Sequence, residues 1–322
     1  MYVGTSSAAR CMTDPDVRLP RLSQHLVIVR AGRHSLHPTW LQGDTAPQFD
    51  VLVAAYDEAA PLIEHPNVVT IQQPGRKIAG LNALFRACPS MFSDYAFIAL
   101  IDDDIATDAA TLNQLFELGA AYQLDLWQPS LTWDSHLSYV GLLQNDRFKL
   151  RYTNFVEMMC PFFRASYLKE AAFLFDRGWE TGIDLIWSRV SKRPLYRSAI
   201  IDAVAVKHTR PVGTTKQQQG FAADERYDDQ MAKVLNHFDT EFHGLVIYAA
   251  LDRRSRFVRG RLRLALATAR VFRALRFTPL NTKAFLRLAL AAVRHTLSRP
   301  INLDPVEERR VPQVDRQSRG LA

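Results

Sequence analysis

Cysteine is scarce in this chain of 322 residues, with Cys11, Cys88 and Cys160 as its three examples. Their wide, irregular spacing fits neither a disulfide framework nor a cysteine-ligated metal site. An odd number of isolated cysteines is typical of proteins in a reducing compartment, where the thiol side chain behaves as a small hydrophobic group. The sequence therefore argues against the class of small domains that depend on disulfide bonds.

Long hydrophobic runs are absent as well. The chain has no run of about 18 apolar residues, the length that a membrane-spanning helix needs. Its N-terminus also lacks the basic start and apolar stretch of a signal peptide. We therefore expect a cytoplasmic protein, whose 48% of apolar residues suffice for one large core or two modest ones.

Acidic residues are almost missing from residues 251–300. This segment has thirteen Lys and Arg residues and one acidic residue, Asp252, whereas the whole chain has a net charge of +7. Two amphipathic helical patterns fill it, and the apolar face of the first would consist of Val258, Leu262, Leu266, Ala269 and Phe272. Such helices suit an anionic membrane surface at the inner face of the membrane. The alternative is that they simply pack on the main domain.

The part of the chain before these helices alternates short apolar runs with helical patterns. Strands are predicted at 25–32, 49–56, 67–72, 95–101, 124–131 and 198–208, and helices near 77–88, 108–123, 165–177 and 183–191. This alternation predicts an α/β fold with a mixed, mostly parallel sheet flanked by helices.

The same patterns divide the chain into four parts. We expect an N-terminal tail at 1–24, the α/β domain at 25–250, the basic amphipathic helices at 251–300 and a disordered polar tail at 301–322. Within the domain, residues 211–220 combine a turn with a polar loop that we expect to be mobile.

Three consecutive aspartates, Asp102, Asp103 and Asp104, follow the apolar run of the fourth predicted strand. In an α/β sheet, ligands bind beyond the carboxyl ends of the strands, where these residues would lie. Asp102 and Asp104 face the same way in extended chain and could converge on Mg²⁺ or Mn²⁺, with substrate phosphates as further ligands. The alternative is that the acids cap the next helix, a role that Asp108 suits better.

A cationic pair, Arg76 and Lys77, precedes the aspartates by one helix. It lies at the predicted start of that helix, where side chains and free backbone N–H groups could bind an anion together. A lysine at a helix start is commonly just solvated, but its place next to the acidic triplet favours a phosphate site.

Two sequence blocks carry a resemblance to a known class of enzyme. RKIAGLNAL (76–84) followed by IALIDDD (98–104) resembles the Lys-to-Asn helix and the acidic metal motif of nucleotide-sugar glycosyltransferases with the GT-A fold. The ordered blocks YAFIALIDDDI, LDLWQPSLT, NFVEMMCPFFRASYL, GWETGIDLIWSR and IIDAVAVKHTRPVG resemble the domain of unknown function 707, over about residues 25–215. The resemblance implies a GT-A-like fold more firmly than an activity.

This resemblance implies roles in binding the donor and the metal. Asp102 and Asp104 would bind Mn²⁺ or Mg²⁺, and His208 resembles the late histidine that completes the metal site, although a structural histidine is the alternative. The residues implied in donor binding are Arg76, Lys77, Asn82, Asp102 and Arg210.

The resemblance also implies a general base. GIDLIWSR resembles the segment with the catalytic acid of inverting enzymes, which places Asp184 as the base that accepts the acceptor's proton. The usual acidic neighbour is replaced by Ile183, and Glu180 is the substitute base; as the alternative, Asp184 would only cap the next helix. A third acid, Glu157, lies in an apolar segment and needs a partner, either a substrate hydroxyl or a group inside the domain.

These features predict a metal-dependent glycosyltransferase, of the hexosyltransferase type, with a nucleotide-sugar donor and a glycan, lipid or small-molecule acceptor. One alternative is a phosphohydrolase of the haloacid dehalogenase type, because IDDDIAT has two aspartates one residue apart after an apolar strand. Another is a non-enzymatic protein that binds membrane surfaces. A nucleic-acid partner is not expected, because the main domain is acidic and no recognition motif occurs.

Overall fold

The computed structural model describes residues 10–11, 18–213 and 226–307. Its strands are β1 (Arg10–Cys11), β2 (His25–Ala31), β3 (Asp50–Ala55), β4 (Val68–Gln72), β5 (Phe97–Asp102), β6 (Ile105–Ala106), β7 (Leu126–Leu131), β8 (Phe148–Thr153), β9 (Phe162–Arg164), β10 (Ser198–His208), β11 (Ile247–Asp252) and β12 (Phe257–Val258). Its α-helices are α1 (Lys77–Ala87), α2 (Met91–Asp94), α3 (Ala109–Ala121), α4 (Ala165–Ala171), α5 (Tyr227–His237), α6 (Arg261–Thr268) and α7 (Thr282–Ser298).

The strands form one mixed sheet in the order β1-β4-β3-β2-β5-β9-β7-β10-β8-β11-β12, and β6 pairs with β10 outside this path. Strands β1 to β5 run parallel where they pair, and β7 runs parallel to β10. β9 lies antiparallel between β5 and β7, so β5, β7 and β10 point the same way. The predicted α/β fold, with a mostly parallel sheet flanked by helices, is therefore confirmed.

The central strands are apolar along their whole length because both faces of the sheet are covered. All six residues of β3 and of β7 are buried, as are six of the seven residues of β2. This is the pattern of a parallel sheet between helical layers, and it explains why these strands read as continuous apolar runs. The covered sheet leaves its carboxyl edge as the place where polar side chains can gather.

Two of the helices predicted from the sequence are replaced, wholly or in part, by 3₁₀ segments in the structure. The predicted helix near 183–191 consists of two short 3₁₀ turns, Ile183–Leu185 and Trp187–Arg189. The predicted helix near 165–177 ends at Ala171 and continues as a 3₁₀ segment, Ala172–Asp176. In the first case, Gly182 adopts a φ of 87° immediately before the turn, a conformation that a regular helix does not accept.

The basic segment does contain helices, but the predicted apolar face of the first is wrong. Leu262 and Leu266 of α6 are 64% and 62% exposed, whereas Leu264, Ala265 and Ala267 are buried. The reason is tertiary: α6 packs against β11 and α7, and this packing selects another side of the helix. A 3₁₀ segment, Ala269–Arg276, continues α6.

Some predictions fall outside the described residues. This applies to most of the tail at 1–24, to residues 214–220 of the predicted polar loop and to residues 308–322 of the C-terminal tail. Within the described ranges, no helix is both long enough and apolar enough to cross a bilayer.

Candidate active site

A cavity of about 250 Å³ opens at the carboxyl edge of the parallel strands. It is lined by the ends of β2, β5 and β10, by the start of α1 and by the 3₁₀ turn at Ile183–Leu185. The structure brings seven of the predicted site residues to this cavity: Lys77, Asp102, Asp104, Glu180, Asp184, His208 and Arg210.

Asp104 and His208 meet because β6 pairs with the end of β10. The pairing is antiparallel and aligns His208 with Ile105, the residue after Asp104. The His208 Nε2 atom lies 3.2 Å from Asp104 Oδ2, and its Nδ1 atom lies 3.0 Å from the His136 carbonyl oxygen. Although burial lowers the pKa of His208, its contacts with Asp104 outweigh that effect and raise it to about 9.

Asp102, the last residue of β5, forms an ion pair with Lys77, the first residue of α1. Burial raises the pKa of Asp102, and the Lys77 ammonium opposes the rise. The same ammonium donates to the Met158 carbonyl oxygen over 2.7 Å. Lys77 is thus held at the cavity wall next to the acidic triplet.

Asp103 serves mainly to hold the site together. Its Oδ2 atom accepts hydrogen bonds from the Gly32 backbone at 2.9 Å and from the Tyr56 hydroxyl at 3.1 Å. Its Oδ1 atom lies 3.3 Å from the Arg210 guanidinium. A Cβ atom at Gly32 would lie within 2.8 Å of the Tyr56 side chain, so any larger residue there would displace the tyrosine from Asp103. Asp103 therefore ties the ends of β2 and β3 to the aspartate turn.

Glu180 and Asp184 are both buried but differ in their contacts. Glu180 accepts hydrogen bonds from the backbone N–H groups of Ile78 at 2.9 Å and Ala79 at 3.1 Å. The anion at the start of α1 is thus the Glu180 carboxylate of the chain itself. The sequence had suggested that these backbone N–H groups could bind a ligand, but the two of them already donate to Glu180. Burial raises the pKa of Asp184 to about 6, while Lys77 and nearby backbone N–H groups oppose the rise.

Glu157 is a third buried carboxylate on the cavity wall. Its Oε2 atom is buried and has no hydrogen-bond partner among the described residues. Burial raises its pKa to about 7, against a hydrogen bond from Ser138. The sequence predicted that Glu157 needs a partner. Within the described part of the chain, one of its two carboxylate oxygens has none.

Two predicted donor-binding residues do not line this cavity. Asn82 lies on a later turn of α1, where its side-chain amide donates to Asp176 over 3.0 Å. Arg76 is the residue before α1 and is likewise not part of the cavity wall.

The structure adds two residues that the sequence analysis missed. Arg30 of β2 and Tyr56, directly after β3, both line the cavity. In an α/β sheet, ligands bind beyond the carboxyl ends of the strands, and both residues lie at such ends. The same reasoning that placed the aspartates in the site could therefore have found them from the sequence. Arg30 donates to the Gly75 carbonyl oxygen over 2.9 Å, which holds it across the start of α1.

Each of the predicted metal ligands already contacts a partner: Asp102 pairs with Lys77, and Asp104 with His208. Within the described ranges, no group of three or more His, Cys, Asp and Glu side chains is arranged to hold a metal ion. The Oδ1 atom of Asp104 is nevertheless buried with no partner in this part of the chain. Because Mg²⁺ commonly takes one or two carboxylates and completes its shell with phosphates and water, this site fits a metal bound together with a nucleotide. It does not form a complete cage for a metal alone.

Comparisons with known proteins give distant structural matches. The chain is similar to the crystal structure of S. aureus TarS residues 1–349 in complex with UDP-GlcNAc, with 12% identity, 86% of this chain and 74% of that chain covered, and a TM-score of 0.39. For the same TarS residues in complex with UDP, the identity is 12%, the coverage 84% and 88%, and the TM-score 0.36. Likeness of this extent does not assign a function, which is therefore inferred from the cavity itself.

No family model matches the chain, and no curated protein matches it significantly. The predicted membership in the domain 707 family is thus not confirmed.

Proposed function

We propose that this chain is a glycosyltransferase that transfers a sugar from a nucleotide-sugar donor to the hydroxyl group of an acceptor. The observation that carries the proposal is one cavity that combines a buried carboxylate oxygen without a partner in the described chain, at Asp104, with two positive side chains and a separate buried carboxylate. These are the three requirements of the reaction: charge neutralisation of the leaving diphosphate, its positioning, and removal of a proton from the acceptor.

The diphosphate would bind at the acidic edge of the cavity. Asp104, through its Oδ1 atom that has no partner in the described chain, would hold Mn²⁺ or Mg²⁺ next to Asp102, with phosphate oxygens of the donor as further ligands. His208 would keep its contact with Asp104 and so position that carboxylate. When bound, the ion would neutralise charge on the departing diphosphate. Lys77 and Arg210 line the same cavity and would place positive charge next to the phosphate oxygens. Binding of the donor would require Lys77 to exchange part of its contact with Asp102 for a phosphate.

The acceptor hydroxyl would pass its proton to Asp184. This carboxylate is buried on the cavity wall, and its raised pKa of about 6 leaves it ionised at neutral pH yet basic enough to accept a proton. Glu180 is the less suitable base, because both its oxygens already accept hydrogen bonds from α1. We assign Glu180 to holding the helix that positions Lys77.

The transferred sugar would lie between the diphosphate and Asp184. Glu157 is close to this region and has one buried oxygen without a partner in the described chain, which suits a hydrogen bond from a sugar hydroxyl. A hexosyl group offers several hydroxyls that such a carboxylate could bind.

The test is release of nucleoside diphosphate from a panel of nucleotide sugars in the presence of Mn²⁺, with and without candidate acceptors. We expect turnover with one donor, and loss of transfer in Asp184→Asn, by about 10² to 10⁴-fold for a removed general base. Glu241→Gln changes an exposed acid that is not part of the cavity wall and is the control. Release of inorganic phosphate from simple phosphoesters, with no turnover of any nucleotide sugar, would replace the proposal by a phosphohydrolase.

A further inference from the structure

The outer faces of α6 and α7 have an unusual composition. On α7, the residues at alternating spacings of four and three are all exposed, and three of the five are basic and two apolar: Lys283, Arg287, Leu290, Arg294 and Leu297. Helical geometry places residues at this spacing on one side, so they form a continuous stripe. We call it the α7 stripe.

The same pattern occurs on α6. Leu262 and Leu266 are four residues apart and are 64% and 62% exposed; Arg263 of the same helix and Arg273 of the following 3₁₀ segment are exposed too. Singly exposed leucines are common on soluble proteins, whereas exposed leucines grouped on a helix face among basic residues are typical of helices that bind a membrane surface.

The α7 stripe and the exposed leucines of α6 face away from the body of the protein. The buried side of α7 consists of Phe285, Ala289, Ala292 and Thr296, and that of α6 includes Leu264 and Ala267. These residues lie on the opposite side of each helix from the exposed leucines. α6 packs on α7 and on β11, and α7 packs on the turn at Val140–Leu142, so the two outer faces belong to neighbouring helices.

The charge of this surface determines what can cover it. Within the described ranges, Lys283, Arg287 and Arg294 form no ion pair. The chain's own residues 308–322 carry four arginines and two acids, so they do not complement a basic surface, and neither does the same surface of a second copy. A partner must be anionic and must also offer an apolar layer for the leucines.

We propose that the outer surface of α6 and α7 binds an anionic lipid bilayer. The arginines and lysine would contact lipid phosphates, and Leu262, Leu266, Leu290 and Leu297 would enter the region between headgroups and acyl chains. A nucleic acid offers the negative charge but no layer that buries leucine side chains. This inference is independent of the reaction proposed above, because vesicle binding requires neither donor nor acceptor.

The test is flotation of the full chain with phosphatidylcholine vesicles that contain phosphatidylglycerol, against phosphatidylcholine alone. We expect binding to the anionic vesicles only, with weakening at high salt. The combination of Lys283→Gln, Arg287→Gln and Arg294→Gln should weaken it by roughly 100-fold, because each basic residue near an anionic surface contributes about a factor of five. Lys169→Gln, Lys192→Gln and Lys233→Gln remove the same charge from exposed positions elsewhere and should leave most of the binding.

A second pair of variants separates a bilayer from other polyanions. Leu290→Gln with Leu297→Gln keeps every charge and should weaken vesicle binding roughly tenfold, since less apolar surface leaves water. Leu62→Gln with Leu195→Gln changes two leucines of similar exposure, 62% and 53%, and should have no effect.

Three results would overturn the proposal. The first is an absence of binding to anionic vesicles, and the second is an equal loss of vesicle binding in the control variants. The third is that the leucine variants bind vesicles as well as the unchanged protein does, while a DNA duplex competes with the vesicles. Because all substituted residues are exposed, melting temperatures should stay constant, and circular dichroism would verify the fold.

Discussion

The His208 imidazole lies 3.2 Å from the Asp104 carboxylate, although the two residues are 104 positions apart in the chain. The contact joins the ends of β5 and β10 at one point of the cavity, and it leaves the second oxygen of Asp104 buried without a partner in the described chain. A buried carboxylate oxygen of this kind is a strong position for a cation.

Asp104→Asn should therefore abolish the metal-dependent part of nucleotide binding. In the unchanged protein, Mn²⁺ with a nucleoside diphosphate should raise the melting temperature, because a ligand that binds only the folded state stabilises it. The variant should lose this rise. Asp134→Asn, at an exposed aspartate that pairs with Lys207, is the control and should keep it. An equal rise in both variants would exclude Asp104 as a metal ligand.

The transfer rate should depend on pH through Asp184. Since burial raises its pKa to about 6, the carboxylate is mostly protonated at pH 5 and mostly ionised at pH 7. The rate should rise through this range and then level off, as initial rates measured from pH 5 to pH 8 would show. Glu157→Gln should retain the rise and Asp184→Asn should not; the reverse result would make Glu157 the base.

Glu157→Gln should stabilise the protein at high pH. The folded-state pKa of Glu157 is about 7 against an ordinary value of 4.5, so the folded state loses stability as the pH rises from about 4.5 to 7. The substitution removes the titrating group and therefore this loss of stability. The free energy of unfolding should increase by at most about 3 kcal/mol at pH 8 and change little at pH 4. Urea unfolding at the two pH values would measure it.

Glu170→Gln is a useful comparison for that experiment. This glutamate is 45% exposed and pairs with Arg193, and its pKa lies below the ordinary value because the Ser191 and Arg193 contacts outweigh burial. Its substitution should therefore destabilise the protein slightly at pH 8, by about 1 kcal/mol or less. A gain in stability in both variants would mean that the burial of Glu157 is not the cause.

Asp202→Asn should destabilise the sheet strongly. Asp202 of β10 binds the Arg151 guanidinium of β8 through both oxygens, at 2.7 and 2.9 Å, and both side chains are fully buried. Loss of one partner leaves a buried charge uncompensated, which costs about 3 to 5 kcal/mol. Denaturant unfolding would show the loss, and Asp228→Asn, at the exposed pair with Arg226, should change stability far less.

The strands and the strand-end residues could be predicted from sequence because local patterns determine them. β3 and β5 are apolar runs of strand length, and Asp102 is the last residue of β5. Because ligands bind beyond the carboxyl ends of the strands in an α/β sheet, this position alone places Asp102 at the site. The N-cap role of Asp108 was equally local and is confirmed by its hydrogen bond from the Thr111 backbone, at 2.7 Å.

Other features depend on partners that are distant in the chain. Asp103 turns inward because Gly32 and Tyr56 from two other strands donate to it, and Glu180 caps a helix about a hundred residues earlier. The exposed side of α6 follows from the surface it packs on, and periodicity did not select that side correctly. Spacing identifies which residues could share a face, whereas tertiary packing decides which face is buried.

The two-residue pairing of β6 with β10 has a consequence for the dynamics of the cavity. Ladder positions Ile105–His208 and Ala106–Lys207 hold the aspartate turn against the histidine, so a local opening of this short ladder would separate Asp104 from His208 in a single event. The rate at which the amide hydrogens of these few residues exchange with solvent should therefore report how often the centre is assembled.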